Sequence, residues 1–303
     1  MKTINDIRIL VVGDIMLDKY IVGDVSRISP EAPVPIVKVM NEYSTLGGAG
    51  NVVRNIAALG VEVHCAAAVA KDSAGGEILN LLNDCGAVDV LSYQAVTTTV
   101  KERFIADQRK VQMLRVDREN TASITPDEMI KEIEIHMLGD GHYDMIIVSD
   151  YAKGLITWDL MEYIRTLGIP IIIDPKPDSS DIYGQPLMIT PNKKEWLQME
   201  LIDACKPEFV LVTEGRDGMT LYDYRQHRAS VKIQGEPVEV YNVSGAGDTV
   251  VAVMGICLAL DIYPDKAARV ANSCAAYVVT QSGTSIIPKN IFKRSMNRFN
   301  MRM

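Results

Sequence analysis

In the stretch YNVSGAGDTVVAVMGICLAL, Tyr241 to Leu260, a single carboxylate, Asp248, follows Gly245-Ala246-Gly247 and precedes a long apolar run. Glycine-rich backbone at a helix start leaves N–H groups without intrahelical partners, and the helix dipole adds positive potential there. Such a turn suits an anion such as a phosphoryl group. An acid directly behind those amides is placed to accept the proton of a hydroxyl that attacks the phosphorus. The same acid would also stabilise a bare helix N-terminus by about 0.3–1 kcal/mol, so this motif alone leaves both roles open.

Other pieces of the chain carry the same double reading. In TPNKKEW, Asn192 and Glu195 stand three apart around Lys193 and Lys194. That is the spacing of a helix capping box, and also one that lets two oxygen groups hold a hydrated Mg²⁺ beside a nucleotide. VTEGRDGMTLY places Thr213, Gly215 and Gly218 in a strand–turn–strand unit, and QSGTSIIP places Thr284 in a late turn. Either segment wraps a nucleotide or is an ordinary connection. VVGDIMLDKY puts Asp14 and Asp18 just past the first apolar run, where open α/β sheets bind ligands and paired carboxylates suit sugar hydroxyls. In LGGAGNVV, Gly47 and Gly48 allow close backbone approach to a ligand, and Asn51 reads as a ligand contact or as a helix N-cap.

Several chemistries are excluded. No Gly-Lys dipeptide occurs, which removes the P-loop, and Val53 stands where a dinucleotide fingerprint needs its third glycine. The four histidines, His64, His136, His142 and His227, form no H-E-x-x-H, and G-x-S-x-G is absent. A formal charge of −8 argues against nucleic acid and membrane surfaces as partners and means that an anionic substrate needs local cations. Five cysteines without a C-x-x-C pair read as reduced, buried thiols. The first apolar run is short and ends at Gly13-Asp14, so it reads as a strand rather than a signal peptide; no uncharged apolar stretch reaches the roughly 18 residues of a membrane span. These features predict a cytoplasmic protein.

The elements that must position these residues follow from periodicity. Short β-branched runs (IRILVV, YDMIIVSD, IPIIID, EFVLVT) alternate with amphipathic helical segments (NVVRNIAALG, GGEILNLLNDCG, PDEMIKEIEIHMLG, TWDLMEYIRTLG, NKKEWLQMEL). That alternation predicts a doubly wound α/β core with a mainly parallel sheet covered on both faces. Two regions, about 19–40 and 96–116, read instead as alternating strands of a small projecting sheet, and Gly218 to Gln234 as a hairpin. Exposed edges of such a sheet need a cover, and a second copy of the chain is one.

In this order and at these separations, the Gly-Asp strand end, GGAGN, the N-x-x-E and SGAGDT resemble the ribokinase-like (PfkB) family of carbohydrate kinases over nearly the whole chain. The resemblance implies a ribokinase-like fold with a β-sheet lid, and transfer of the ATP γ-phosphoryl group to a sugar hydroxyl. It makes Asp248 the base and Gly245, Ala246 and Gly247 the anion hole, and puts Asn192 to Glu195, with Mg²⁺, on the nucleotide side together with Thr213, Gly215, Gly218 and Thr284. The sugar falls to Asp14, Asp18, Gly47, Gly48 and Asn51. GDIMLDKYIVGDVSRISPEAPVPIVKV, SDYAKGLIT, IIIDPK and LRVDRE further resemble the kinase domain of the heptose kinases of ADP-heptose synthesis, which act on D-glycero-β-D-manno-heptose 7-phosphate. For its 7-phosphate, Arg103 and Lys153 come first, with Arg27, Lys101 and Lys176 also in segments the resemblance places near the site. No H-x-G-H occurs, so residues 1–303 are expected to form a single kinase domain without an adenylyltransferase unit, dimeric through the lid sheet. Another sugar, sugar-phosphate or nucleoside kinase of the family, or a nucleotide-binding protein without turnover, are the alternatives.

Overall fold

The computed structural model describes residues 2–301 apart from 93–94, 109, 120–124, 141, 201–204, 227–228 and 282. The expected lid residue Arg109, the tip of the late hairpin with His227, and Ser282 of the late turn therefore lie outside the described residues.

Period-two apolar strands with both faces buried build the centre. In β1 (Arg8–Gly13), Ile9 and Val11 enter one core layer while Leu10 and Val12 enter the other, and β8 (Met145–Ser149) divides Met145 and Ile147 from Ile146 and Val148 in the same way. Seven strands pair in parallel in the order β5 (Val88–Ser92), β4 (Glu62–Ala68), β1, β8, β9 (Ile171–Asp174), β10 (Met188–Ile189), β11 (Phe209–Thr213). The hairpin β12 (Gly218–Asp223) and β13 (Ala229–Gln234) adds antiparallel strands at one edge, completing nine.

Helices cover both faces, as the alternation predicts. One layer receives α1 (Ala49–Leu59), α2 (Ser73–Cys85), α6 (Ala246–Ala259), α7 (Pro264–Val278) and α8 (Lys289–Arg298), through residues such as Ile56, Leu82, Val253, Val270 and Phe292. The other receives α3 (Pro126–Asp140), α4 (Trp158–Thr166) and α5 (Lys193–Glu200) through Met129, Leu160 and Met199. No helix among the described residues is long and apolar enough to cross a membrane.

A second sheet of four strands, in the order β3 (Pro35–Gly48), β2 (Ile15–Ile28), β6 (Val100–Ala106), β7 (Val111–Arg118), forms the lid. Its strands reach further than the pattern suggests: β2 starts at Ile15, and β3 runs to Gly48, where α1 begins. Alternation fails at the lid root because Ile15, Met16 and Leu17 are all buried there against the main core.

Candidate active site

Asp14 follows β1 and Tyr151 follows β8, neighbouring parallel strands from which the chain winds in opposite directions. This is the switch point at which doubly wound sheets open a crevice at the carboxyl ends of their strands. Asp14 Oδ2 accepts the backbone N–H groups of Tyr151 (2.8 Å) and Lys153 (3.1 Å). Burial and the neighbouring Asp150 push the Asp14 carboxyl up to about 6, while the backbone donors pull the other way. At least one of its oxygens is thus committed to holding a loop.

Asp248 lies in the first turn of α6, buried to 6% exposure. The turn before it needs glycine at Gly245: φ is +81°, and a side chain there would meet Asn51 Nδ2 at 2.7 Å and Thr284 Cγ2 at 3.0 Å. Asn51 Nδ2 donates to Asp248 Oδ2 (2.8 Å) and the Tyr151 hydroxyl to Oδ1 (2.7 Å). Burial raises the Asp248 pKa and these two donors oppose the rise. Asn51 is not a helix cap. Gly48 occupies that place with φ +57°, which glycine adopts without strain, so Asn51 sits inside the first turn of α1 facing Asp248. Its Oδ1 is buried without a hydrogen-bond partner, as is Thr45 Oγ1, which lies opposite Asp18 in the β2–β3 register.

Ala246 and Gly247 line a cleft with Thr213, Gly215, Gly218, Met219, Val238, Val240, Val243 and Val279. One cleft therefore gathers two of the expected anion-hole residues and three expected nucleotide contacts, with mostly apolar walls of the kind that accept a flat ring. A side chain at Gly247 would meet no heavy atom within 4 Å. The Ala246 N–H, by contrast, is engaged by the carbonyl of Val243 at 3.3 Å.

Asn192 and Glu195 form a reciprocal capping box. Asn192 Oδ1 accepts the N–H groups of Lys194 and Glu195 (both 3.0 Å), and Glu195 Oε2 accepts the N–H of Asn192 (2.9 Å). Glu195 Oε1 receives Lys176 Nζ at 2.6 Å. A bridge between Asn192 and Thr213 brings this cap alongside the end of β11 and so toward the cleft. Lys193 and Lys194 are exposed on α5. Among the described residues no three His, Cys, Asp or Glu side chains are grouped to grip a metal directly. Asn192 and Glu195 carry hard oxygens, each already engaged by the cap or by Lys176, that would meet a Mg²⁺ ion through its waters.

The remaining expected residues divide. Asp18, 5% exposed, is tied by Arg103 Nη1 at 2.6 Å, and a side chain at Gly47 would run into its carboxylate. Lys153 pairs with Glu119 (2.6 Å). Thr284 meets the lid rather than the cleft, its Oγ1 lying 2.7 Å from the Tyr20 hydroxyl. Arg27 is exposed near the far end of β2, away from Asp18. Two further residues at the site, Tyr151 and Asp174 at the end of β9, lie in the SDYAKGLIT and IIIDPK segments but are given no individual role by the sequence. Asp174 closes β9 and Tyr151 follows β8, both at the carboxyl ends of apolar strands, which is the signal that position alone offers.

A family model described as pfkB family carbohydrate kinase matches residues 6–290. The chain belongs to this family. It is a phosphotransferase with an alcohol group as acceptor, and kinases of the family use ATP. This pfkB kinase is 36% identical to the bifunctional protein HldE of Bradyrhizobium diazoefficiens, over 97% of the chain and 64% of the relative. It is 39% identical to that of Rhodospirillum rubrum, over 93% and 60%. The chain thus spans about three fifths of the length of the curated relatives it matches. The fold is shared with phosphofructokinase-2 from Escherichia coli in complex with potassium (TM-score 0.80, 19% identity, 97% of this chain and 99% of that one). It is shared also with Arabidopsis thaliana ribokinase complexed with ribose and ATP (TM-score 0.69, 15% identity, 97% and 99%).

Burial, and after it repulsion from Asp248, raises the half-buried Asp174 to about 8, partly offset by Lys176. A carboxyl raised in the folded state binds its proton more tightly there than when unfolded, so its contribution to stability falls as pH climbs from the ordinary carboxylate range toward about 8. Urea midpoints should therefore drop between pH 6 and pH 8 by the equivalent of roughly 1–3 kcal/mol, and Asp174→Asn should flatten that drop. An equal slope in both proteins would show that Asp174 does not titrate in this window.

Proposed function

We propose that this pfkB kinase transfers the ATP γ-phosphoryl group to the anomeric hydroxyl of D-glycero-β-D-manno-heptose 7-phosphate, giving the 1,7-bisphosphate on the way to ADP-heptose. The observation that carries the phosphoryl-transfer reading is the buried Asp248 carboxylate, held on both oxygens and one residue beyond the glycine-lined end of the cleft. The heptose follows from the SRISPEAPVP, SDYAKG and IIIDPK segments, and the curated relatives named bifunctional protein HldE support it.

In this mechanism the nucleotide base enters the apolar cleft between the β12–β13 hairpin and α7, and the phosphates extend toward Gly247 and the N-terminus of α6. The helix dipole and the open backbone there favour the charge that builds on the transferring group. Buried Asn51 Oδ1 and Thr45 Oγ1 offer hydrogen-bonding capacity to sugar hydroxyls beside the base, which accounts for two buried polar atoms that otherwise lack partners. Asp248 takes the proton of the attacking hydroxyl. Asn192 and Glu195 would hold the hydrated Mg²⁺, which neutralises phosphate charge when bound. Asp248→Asn should lower kcat by roughly 10²–10⁴ with ATP affinity unchanged. Measured as ADP release with Mg-ATP and a panel of sugars, a loss under tenfold would remove Asp248 as the base, and preference for another sugar would remove the heptose assignment.

The 7-phosphate needs a cation, and the geometry changes which one is first. Arg103, Lys153 and Lys176 are each paired with a carboxylate. Lys101 on β6 has no such partner among the described residues; burial lowers its pKa, Asp18 and Asp117 oppose the fall, and Lys153 and Arg115 add to it by less. An ammonium not already paired with a carboxylate is the cation best placed to meet an incoming phosphate. Lys101→Ala should raise KM for the phosphorylated sugar about tenfold or more while KM for ATP stays within about twofold, and an unchanged sugar KM would overturn the assignment.

The lid also supports a homodimer. It exposes Ile28, Val39, Met113 and Leu114 (65%, 53%, 43% and 55%) on a sheet whose edge strands are β3 and β7. Sedimentation at micromolar concentration should show a dimer that Leu114→Glu shifts toward monomer; a wild-type monomer would rule out this pairing.

A further inference from the structure

Tyr151 is held at four points, and the resemblance of its SDYAKGLIT segment assigns it no individual role. Its N–H is bound by Asp14 Oδ2 (2.8 Å), and its hydroxyl donates to Asp248 Oδ1 (2.7 Å). Two ammonium groups approach its ring: Lys101 Nζ of the lid at 5.6 Å from the centroid and Lys176 Nζ, which also binds Glu195, at 5.4 Å. Cations against an aromatic ring restrain it. The ring is thus fixed from the sheet, from the lid and from the α5 side, and its one polar atom points at one carboxylate oxygen.

We propose that Tyr151 is a positioning residue for Asp248: its hydroxyl orients the carboxylate toward the acceptor hydroxyl and keeps it ionised. This rests on the reading of Asp248 as base. A carboxylate has about four lone-pair sites, so one donor from Tyr151 and one from Asn51 fix the plane of the group and leave capacity on both oxygens for the substrate. A donor to the charged form also favours that form. Burial is the largest influence raising Asp248, and Asp18 on β2 adds to it, while Asn51, Tyr151 and Lys176 oppose it. Asp174 on β9 also faces Asp248 as a like charge. Burial drives the Tyr151 phenol well above its ordinary range, with Asp248 and Asp174 adding to the rise, so the phenol stays protonated and remains a donor.

The test is the pH dependence of kcat/KM in Tyr151→Phe, using the sugar that the panel identifies. At pH 7, kcat should fall about 10- to 100-fold, the scale of one lost hydrogen bond to a charged group, with ATP affinity unchanged. The acid limb of the profile should move up by about one pH unit, so that activity partly recovers in alkali. In an Asp248→Asn background the same substitution should cost almost nothing further, because both changes act through one carboxylate. Should Tyr151→Phe fail to fold, 3,5-difluorotyrosine incorporated at Tyr151 keeps the shape and strengthens the donor, and should move the limb to lower pH. An inactive Asp248→Asn protein together with a Tyr151→Phe or difluorotyrosine limb at the wild-type pH would overturn the proposal and leave the base in place. A fall in rate equal at every pH would do the same, marking Tyr151 as structural. Near-wild-type turnover in Asp248→Asn would overturn the base itself, and the Tyr151 role with it.

Discussion

Two backbone N–H groups, of Tyr151 and Lys153, converge on one oxygen of Asp14, and the rest of the site hangs from that junction. They tie the loop after β8 to the end of β1 at the one place in the sheet where the winding reverses. With the loop fixed, the Tyr151 ring stands where its hydroxyl reaches Asp248, and Asn51 closes on the same carboxylate from the first turns of α1. An ionisable group in an apolar helix mouth is costly unless donors meet it. Here the donors come from positions 197 and 97 residues away in sequence, so the carboxylate's setting and the fold are assembled together.

The sheet, its two layers of helices and the lid were readable because each rests on local periodicity. Ile9 and Val11 against Leu10 and Val12, or Met145 and Ile147 against Ile146 and Val148, state in six residues or fewer that a strand is covered on both faces. Asp248 was readable for a similar reason, since the glycines that shape its turn are its sequence neighbours.

What stayed hidden depends on contacts across the chain. A tyrosine after a strand looks like any other tyrosine, and Tyr151 acquires meaning only when Asp248 is folded against it. Asn192 and Glu195 satisfy each other as a helix cap, so their spacing alone could not separate a structural pair from a nucleotide-side pair. Here the cap leaves Glu195 Oε1 to Lys176. Cation roles are equally non-local: Arg103, Lys153 and Lys101 have similar contexts in sequence, and only the folded partners show that two of them are neutralised.

Strands β1 and β2 belong to different sheets, yet only Asp14 separates them. At this junction the lid has no slack linker, so β2 cannot move independently of β1. Any tilt of β2 must be absorbed in the dihedral angles of Asp14, the residue whose carboxylate grips the loop that presents Tyr151. A little further along the same strand, the Tyr20 hydroxyl rests on Thr284 beside Gly245, giving the lid a second foothold at the mouth of α6. Movement of this strand and the setting of the Tyr151 loop beside Asp248 are therefore coupled through a single residue.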